Sequence, residues 1–297
     1  ISGIMPFSSS AEESVKTYGD LSYVSSDSDG DRIYDYIAII DCNESVTKIE
    51  IPAEIEGLPV KSTRDWAFAD CKSLTSISVP DSVNAIGNGA FSGCSSLASI
   101  NIPNSVTTIR GSAFCNCLSL TSITIPESVT SIIEGAFAYC SNLITVKIPD
   151  SVTDITDKTF YVCSSLTSVT IPDSVTHIGY NAFKYCKNLT SIIIKNPNCE
   201  ISNGKNTIWE TATIYGYENS TAQAYAERYC RRFVSIEDIG DISGNGKIDL
   251  YDAIEIAKAI MGMRTFTEEE KLIADFNKDV TVDLYDAIEI ARTLLPK

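Results

Sequence analysis

One motif returns every 23 residues down the middle of this chain, and that period leaves few folds open to it. Pro80, Pro103, Pro126, Pro149 and Pro172 keep the interval. So do Phe68, Phe91, Phe114, Phe137, Phe160 and Phe183, and so do Cys71, Cys94, Cys117, Cys140, Cys163 and Cys186. A fixed period in the twenties marks a solenoid, in which each unit buries its apolar side only against its neighbours.

One unit, Leu74 to Cys94, shows how a coil is written. Its apolar positions are Leu74, Ile77, Val79, Val83, Ile86, Ala90, Phe91 and Cys94. The alternation through Ile77 and Val79 predicts a strand with one inward and one outward face. Pro80 ends it, having no N–H for a ladder. Asp81 and Ser82 turn the chain, and Val83 and Ile86 point back inside. Gly87 to Gly93 allow a tight or short helical return that Phe91 and Cys94 anchor. Coils then stack at roughly 4.8 Å, the spacing of paired strands.

The opening Leu-x-x-Ile-x-Val and the LTSI-x-IP-x-SVT-x-I-x-x-x-AF-x-x-C positions from about Leu74 to Cys186 resemble the BspA-like leucine-rich repeat family. Atypical ends included, the resemblance spans some 170 residues. It implies a leucine-rich-repeat solenoid of parallel β-strands with short helical or irregular returns. Members of that family are bacterial and protozoal surface proteins, several of them adhesins, so the resemblance implies binding without naming a ligand.

The length, 297 residues, suits about two domains, and an apolar share of 44% suffices for a real core. A net charge of −16 argues against nucleic acid or an acidic membrane as partner, since both need basic patches. Residues 1–17 stand apart from the fold. Ser9-Ser10-Ala11 places small residues at −3 and −1 of a signal-peptidase site, behind Pro6. The expectation is the tail of an export signal, the alternative an ordinary disordered N-terminus. No run of 18 apolar residues occurs.

Residues 18–236 read as the repeat domain with its caps. Tyr34 to Ile40 and Val46 to Ile51 are expected strands of a degenerate first turn covering the open end of the stack. Asp27, Asp29 and Asp31 mimic the start of a calcium loop, but Arg32 and Ala38 stand where its glycine and closing ligand belong. That segment is read as a polar hairpin turn. Six units fill 61–194, the first irregular. Beyond them a loop, a strand (ATIYGY), a helix capped by Ser220 and a last strand (RFVSI) form the C-terminal cap.

The ten cysteines suggest disulfides in an exported chain. Six share one repeat position, however, and are read as a reduced, buried ladder of small hydrophobes. Cys115 and Cys117 share a turn and point differently, while Cys42, Cys199 and Cys230 lie in the caps, unpaired by spacing.

Residues 237–297 carry different chemistry. Asp241 to Asp252 fits a twelve-residue EF-type loop. Asp241, Ser243 and Asn245 supply oxygens at positions 1, 3 and 5; Gly246 turns at 6; the Lys247 carbonyl serves at 7; Asp249 acts through water at 9; Asp252 closes at 12. A second copy follows 34 residues later with Asp275, Asn277, Asp279, Thr281, Asp283 and Asp286. DLYDAIEIA recurs identically at 249–257 and 283–291, so two calcium ions are expected. Val280 occupies the second loop's glycine position, where a β-branched residue is strained if φ must be positive.

Asp rather than Glu at position 12, and the missing leading helix, make this tail resemble a type I dockerin over about Gly240 to Lys297. The resemblance implies a small all-α calcium-dependent plug that binds cohesin domains on the scaffoldins of cellulosomes. The helices support a partner independently, because each is apolar on two sides. Ala253, Ile256 and Ile260 form one face; Leu250, Ile254, Ala257 and Met261 form the other. The second helix repeats this, with Ala287, Ile290 and Leu294 against Leu284, Ile288, Ala291 and Leu295. The dockerin resemblance places cohesin contacts at Leu250, Tyr251, Ile254, Ala257, Lys258 and Met261, and at Leu284, Tyr285, Ile288, Ala291, Arg292 and Leu295. Two near-identical sets imply a pseudo-twofold surface that can engage its partner in either of two orientations. Thr267 and Glu270 form a capping box for a connecting helix, and only Glu237 to Ile239 separate the modules.

The only histidine, His177, takes a variable slot shared with Ala85, Thr108, Ser131 and Asp154 and is expected to face solvent. One histidine leaves no constellation for Ser-His-Asp or Cys-His chemistry. Ser76, Ser99, Ser122, Thr145, Ser168 and Ser191 line the strand face, where a glycosidase would need paired carboxylates. Trp66, Tyr139, Tyr161, Tyr180 and Tyr185 gather near the return turns as a second candidate edge. The reading is a secreted, non-enzymatic, extracellular cellulosome component whose repeats bind a protein or polysaccharide. The alternative is a cellulosomal enzyme acting on plant polysaccharide or protein, and a third reading makes the solenoid a passive spacer.

Overall fold

The computed structural model describes residues 14–27, 33–236, 242, 250–263, 265, 266, 271, 274 and 282–293. The readings made on residues 1–13, on 28–32, on the capping box at Thr267 and Glu270, and on Leu294 and Leu295 lie outside them. So do the linker at 237–239 and most of the loop ligands of the tail.

The stack starts on antiparallel strands. β1 (Lys16–Tyr18), β2 (Leu21–Ser26) and β3 (Tyr36–Cys42) pair antiparallel in that order. β4 (Lys48–Glu50) and β5 (Glu54–Ile55) follow, and β6 (Leu58–Thr63) pairs parallel to β3. From there every coil repeats one path.

Each coil contributes two strands, where the sequence announces one. The announced set is β7 (Ser76–Ser78), β9 (Ser99–Asn101), β11 (Ser122–Thr124), β13 (Thr145–Lys147), β15 (Ser168–Ile171) and β17 (Ser191–Ile194). The second set is β8 (Ala85–Ile86), β10 (Thr108–Ile109), β12 (Ser131–Ile132), β14 (Asp154–Ile155), β16 (His177–Ile178) and β18 (Glu200–Ile201). This second set continues the cap's sheet in the order β6-β8-β10-β12-β14-β16-β18. Its members are two residues long, too short for a period-two signal. They exist only because the equivalent residues of the next coil lie alongside.

The returns are chains of turns; no helix forms among the described residues of the repeats. Backbone hydrogen bonding explains why none is needed. Phe68, Phe91, Phe114, Phe137 and Phe160 donate their N–H to a carbonyl of the following coil at 2.8–3.0 Å. The residues two before and two after them also donate to the next coil, as Trp66 does to Asn88 O and Asp70 to Ser92 O. The N–H groups in between close turns within the coil, as Ala67 does to Arg64 and Ala69 to Trp66. That alternation requires left-handed backbone at two places per coil. Trp66, Ser112, Lys158 and Asn181 mark the first, with φ of 54–65°. Asp70, Asn116, Tyr139, Val162 and Tyr185 mark the second, with φ of 57–64°. Non-glycine residues rarely sit there, and a β-branched one such as Val162 is strained. The inter-coil bonds and the buried phenylalanine hold them in place.

Inside, six phenylalanine rings stack with centroids 5.1–5.6 Å apart and planes within 14° of parallel. All six are fully buried. The serine before each repeat valine ties one coil to the last: Ser128 Oγ donates to Val106 O at 2.7 Å, Ser151 to Val129 O at 2.6 Å and Ser174 to Val152 O at 2.7 Å. At the far end β19 (Thr213–Gly216), α1 (Thr221–Arg228) and β20 (Phe233–Ser235) close the stack. Ser220 caps α1 by accepting the Gln223 N–H, as its sequence position predicts. Tyr225 of α1 pins the helix down, donating its hydroxyl hydrogen to Gly204 O at 2.8 Å and accepting the Ile208 N–H at 3.2 Å.

The tail has its own small core. Ile242, Ala253, Ile256, Phe266, Ala274, Ala287 and Ile290 are buried together around α2 (Leu250–Ile260) and α3 (Leu284–Thr293).

Candidate metal centre and docking face

The two tail helices are copies in sequence and place equivalent side chains alike. Asp252 and Asp286 both lie in the first helical turn and both are 0% exposed. Asp283 caps α3, its Oδ1 accepting the Tyr285 N–H at 2.7 Å. Asp286 reaches back, its Oδ2 accepting the Asp283 N–H at 2.8 Å. This is a capping box with Asp in the place of Glu. A carboxylate offers about four acceptor sites, so one cap bond does not exhaust Asp286.

A buried carboxylate is costly unless donors or a cation compensate its charge. Two such groups, placed identically at the ends of loops rich in side-chain oxygens, fit a hard cation that takes oxygen ligands. Among the described residues no group of three or more His, Cys, Asp or Glu forms a metal cluster. The other expected ligands, Asp241, Ser243, Asn245, Lys247, Asp275, Asn277, Asp279 and Thr281, lie outside those residues, as do Asp249 and Val280.

The helices divide as their two-sided pattern predicts, with one correction. Ala253 and Ile256 face inward, as do Ala287 and Ile290. Leu250 is 59% exposed and Leu284 57%, while Ile254, Met261 and Tyr285 are exposed with them. Ala257, Ile288 and Ala291 are half-buried at the margin. The Tyr251 side chain lies outside the described set. Ile260, expected on the inner face, is exposed; Ala259 packs on the core instead. Ile260 is the last residue of the helix, and a glycine C-cap follows it: Gly262 adopts φ 72° and donates its N–H to Ala259 O, while Met263 donates to Lys258 O. Lys258 and Arg292 are exposed, paired with Glu255 at 2.6 Å and with Glu289.

On the solenoid the hydroxyl row forms in register: Ser76 lies opposite Ser99, Ser122 opposite Thr145, and Ser168 opposite Ser191. The aromatic edge is a contact chain. Tyr139 meets Tyr161 at 5.3 Å, Tyr161 meets Tyr185 at 5.6 Å, and Tyr185 meets Trp209 at 5.0 Å. Lys184 sits over the Tyr185 ring, 5.1 Å from its centre. Trp209 was missed from the sequence because it lies past the last regular repeat. Trp66 and Tyr180 are exposed outside this chain of contacts.

His177 points outward from its strand, as expected, and is half-buried there. Its slot lies on the second sheet, where neighbours at strand spacing cover its flanks: Asp154 on one side and Glu200 on the other. Its Nε2 lies 3.1 Å from Ser202 Oγ. The ladder cysteines are free, and burial pushes the thiols of Cys94, Cys140 and Cys186 up to about 12. Thiols held there are not nucleophiles at neutral pH. Cys117 is buried and Cys115 half-exposed, so the two cysteines of this turn differ in environment.

Comparison with known proteins follows the same division. The BspA type leucine-rich repeat region matches in six copies, over residues 35–137 and 61–190. The dockerin type I domain matches residues 239–295. The solved structure of the T. pallidum leucine-rich repeat protein is similar, with 28% identity and a TM-score of 0.56, covering 74% of this chain and 97% of that one. A leucine-rich repeat protein from Bacteroides capillosus shares 31% identity over 45% of this chain and 97% of its own, with a TM-score of 0.40. No curated protein matches the chain.

Proposed function

This chain belongs to the BspA-type leucine-rich repeat family and ends in a type I dockerin domain, and on that premise we propose that it is a secreted, non-enzymatic binding component fastened by its tail to the cohesin domain of a scaffoldin. Both parts are protein-interaction modules rather than catalytic ones, and type I dockerins bind calcium. No helix among the described residues is long and apolar enough to cross a membrane.

The observation that carries the reading is the doubled helix. α2 and α3 each bury an Asp and an Ala-Ile pair and leave Leu250, Ile254 and Met261, or Leu284 and Tyr285, in water. None of the described residues of this small module covers them. In this proposal repeats and caps span 18–236 and the dockerin 237–297. Asp252 and Asp286 close two loops whose other ligands are Asp241, Ser243, Asn245 and Lys247, and Asp275, Asn277, Asp279 and Thr281. Calcium, when bound, supplies the positive charge that lets these carboxylates converge. The chain's own part is to hold Asp286 by the Asp283 N–H, to start each helix there, and so to aim the outer face. Because unformed loops fold on the ion, ion binding becomes folding energy.

The repeats act as the recognition arm, for a protein or polysaccharide. The edge from Tyr139 to Trp209 is its best-equipped surface, since aromatic anchors carry most hot-spot energy and the hydroxyl row lacks them. The test is a cohesin pull-down with the full chain. Excess EGTA should abolish capture while the strand signal in circular dichroism persists; capture retained in EGTA defeats the reading. Substituting Leu250 and Tyr251 together, or Leu284 and Tyr285 together, should leave binding through the other copy, and all four substitutions should abolish it. Loss from either pair alone excludes two-way docking.

A further inference from the structure

Trp66 and Tyr139 stand where folding alone asks for something smaller. Trp66 holds the first left-handed slot of its coil, at φ 65°, and Gly89 and Gly135 hold the same slot one and three coils on. Tyr139 holds the second slot at φ 62°, where Gly93 and Asn116 stand in the two coils before it. A bulky side chain in this region is strained, and strain of that kind gathers at binding sites. Both rings are exposed besides, Trp66 at 57% and Tyr139 at 43%. Trp66 is also supported by the next coil. A Cβ at Gly89 would fall 2.3 Å from its Cε3 and Cζ3, so only glycine there lets the indole rest where it does.

Between these rings the returns carry small residues, and an open groove of about 670 Å³ runs across them. Gly111, Ser112, Cys115, Gly135 and Ala138 line its middle, with Trp66 towards one end and Tyr139 and Tyr161 towards the other. Trp66 and Tyr161 belong to coils four steps apart, on a stack whose phenylalanine rings are spaced 5.1–5.6 Å. Its occupant is therefore long and narrow. The described charged groups that line it, Glu134 and Lys158, pair at 2.8 Å, so the groove itself presents no net charge. Gly89, Ser112, Gly135 and Lys158 give their N–H groups to the next coil, so a peptide finds no strand edge to extend here.

We infer that this groove binds an uncharged, extended polysaccharide chain laid along the stack, with Trp66 and the Tyr139–Tyr161 pair as its two aromatic supports. A sugar ring shows C–H groups on its faces and hydroxyls at its rim. Aromatic rings take up the faces, and the tyrosine hydroxyls serve the rim. Ser112 and Asn88 add a hydroxyl and an amide to the lining. A few placed polar groups among aromatic ones fix a ligand's orientation. The site rests on the reading of the repeats as the recognition arm and narrows their ligand to polysaccharide.

The full chain is titrated by calorimetry with cellohexaose, xylohexaose and mannohexaose, and with hexagalacturonate as a charged control. At least one neutral hexaose should bind, and the hexagalacturonate more weakly or not at all. Trp66→Gly installs the residue that position 89 shows the slot accepts; it should weaken the binding about tenfold or more while the thermal midpoint of the repeats holds. Ser112→Lys copies Lys158 of the same column and should obstruct the groove to a similar degree. Binding of no neutral hexaose overturns the inference, whatever protein the chain captures, and so does a preference for the hexagalacturonate. Hexaose binding that survives both substitutions also overturns it, yet leaves the repeats standing as the recognition arm.

Discussion

The solenoid and the helix pair are both internally repeated, yet they hold themselves together by opposite means. In the solenoid each copy is completed by its neighbour. The core runs without a break from Leu21 to Ala226, and its polar groups are paired along the stack. Among the described residues of the tail two copies share seven buried apolar residues, among them three alanines, and each copy buries a carboxylate besides. Burying an aliphatic or aromatic side chain fully is worth about 1.5–3 kcal/mol. The described residues of the tail include few such groups beside the two buried carboxylates, Asp252 and Asp286. Repetition therefore yields stability where faces stack on faces. In the proposed calcium-binding tail it would instead yield dependence on the bound ion.

Several measurements would break or sharpen this contrast. The largest effect is expected at alkaline pH. Cys94, Cys140 and Cys186 titrate near 12 in the fold against 9.0 in the unfolded chain. A raised thiol pKa stabilises fully below pH 9 and is lost as pH rises through 12. Each fully titrated thiol then forfeits roughly 4 kcal/mol. The solenoid should unfold within that window, while the tail, which contains no cysteine, should keep its calcium response. A solenoid indifferent to pH 12 would contradict the buried ladder.

Next in size, Phe137→Ala opens a gap in the middle of the ring column and should cost about 3–5 kcal/mol in urea unfolding of the repeats. Less than about 1 kcal/mol would mean that the stack is not the core. Asp286→Asn keeps a cap acceptor but removes the charge. Calcium titration followed by helicity should show at least tenfold weaker binding, about 1.4 kcal/mol. Unchanged affinity would remove the closing ligand from the proposal. Smallest, Ser151→Ala deletes one stitch between coils and should cost about 1 kcal/mol. Its effect should be the same with or without calcium; calcium sensitivity would mean that the two regions are not energetically separate.

Much of this was legible beforehand because repetition converts packing into arithmetic. Phe91 and Cys94 announce buried columns through their recurrence, and Ser220 announces a cap by its place before a helix. Duplication of DLYDAIEIA likewise forecast two helices with matching inner and outer sides. Less legible were features whose partners sit one coil away. Ala85–Ile86 has no strand signal of its own, His177 owes its half-burial to Asp154 and Glu200, and Trp209 joins the aromatic edge only across coils. Ile260 keeps the inward helical period yet is exposed, at the last residue of its helix.

The amino-acid order alone determined the period, the residue types of the core columns and the division into a stacked part and an acid-rich part. Those follow from local spacing and from which side chains water excludes. Only the tertiary structure decided that the return would be a ladder of turns with left-handed residues at Tyr139 and Val162. It also decided that the thiols from Cys94 to Cys186 would each donate to a phenylalanine carbonyl of the preceding coil. Both depend on which atoms the adjacent coil presents, and a backbone conformation unfavourable in isolation persists once its N–H finds a carbonyl there.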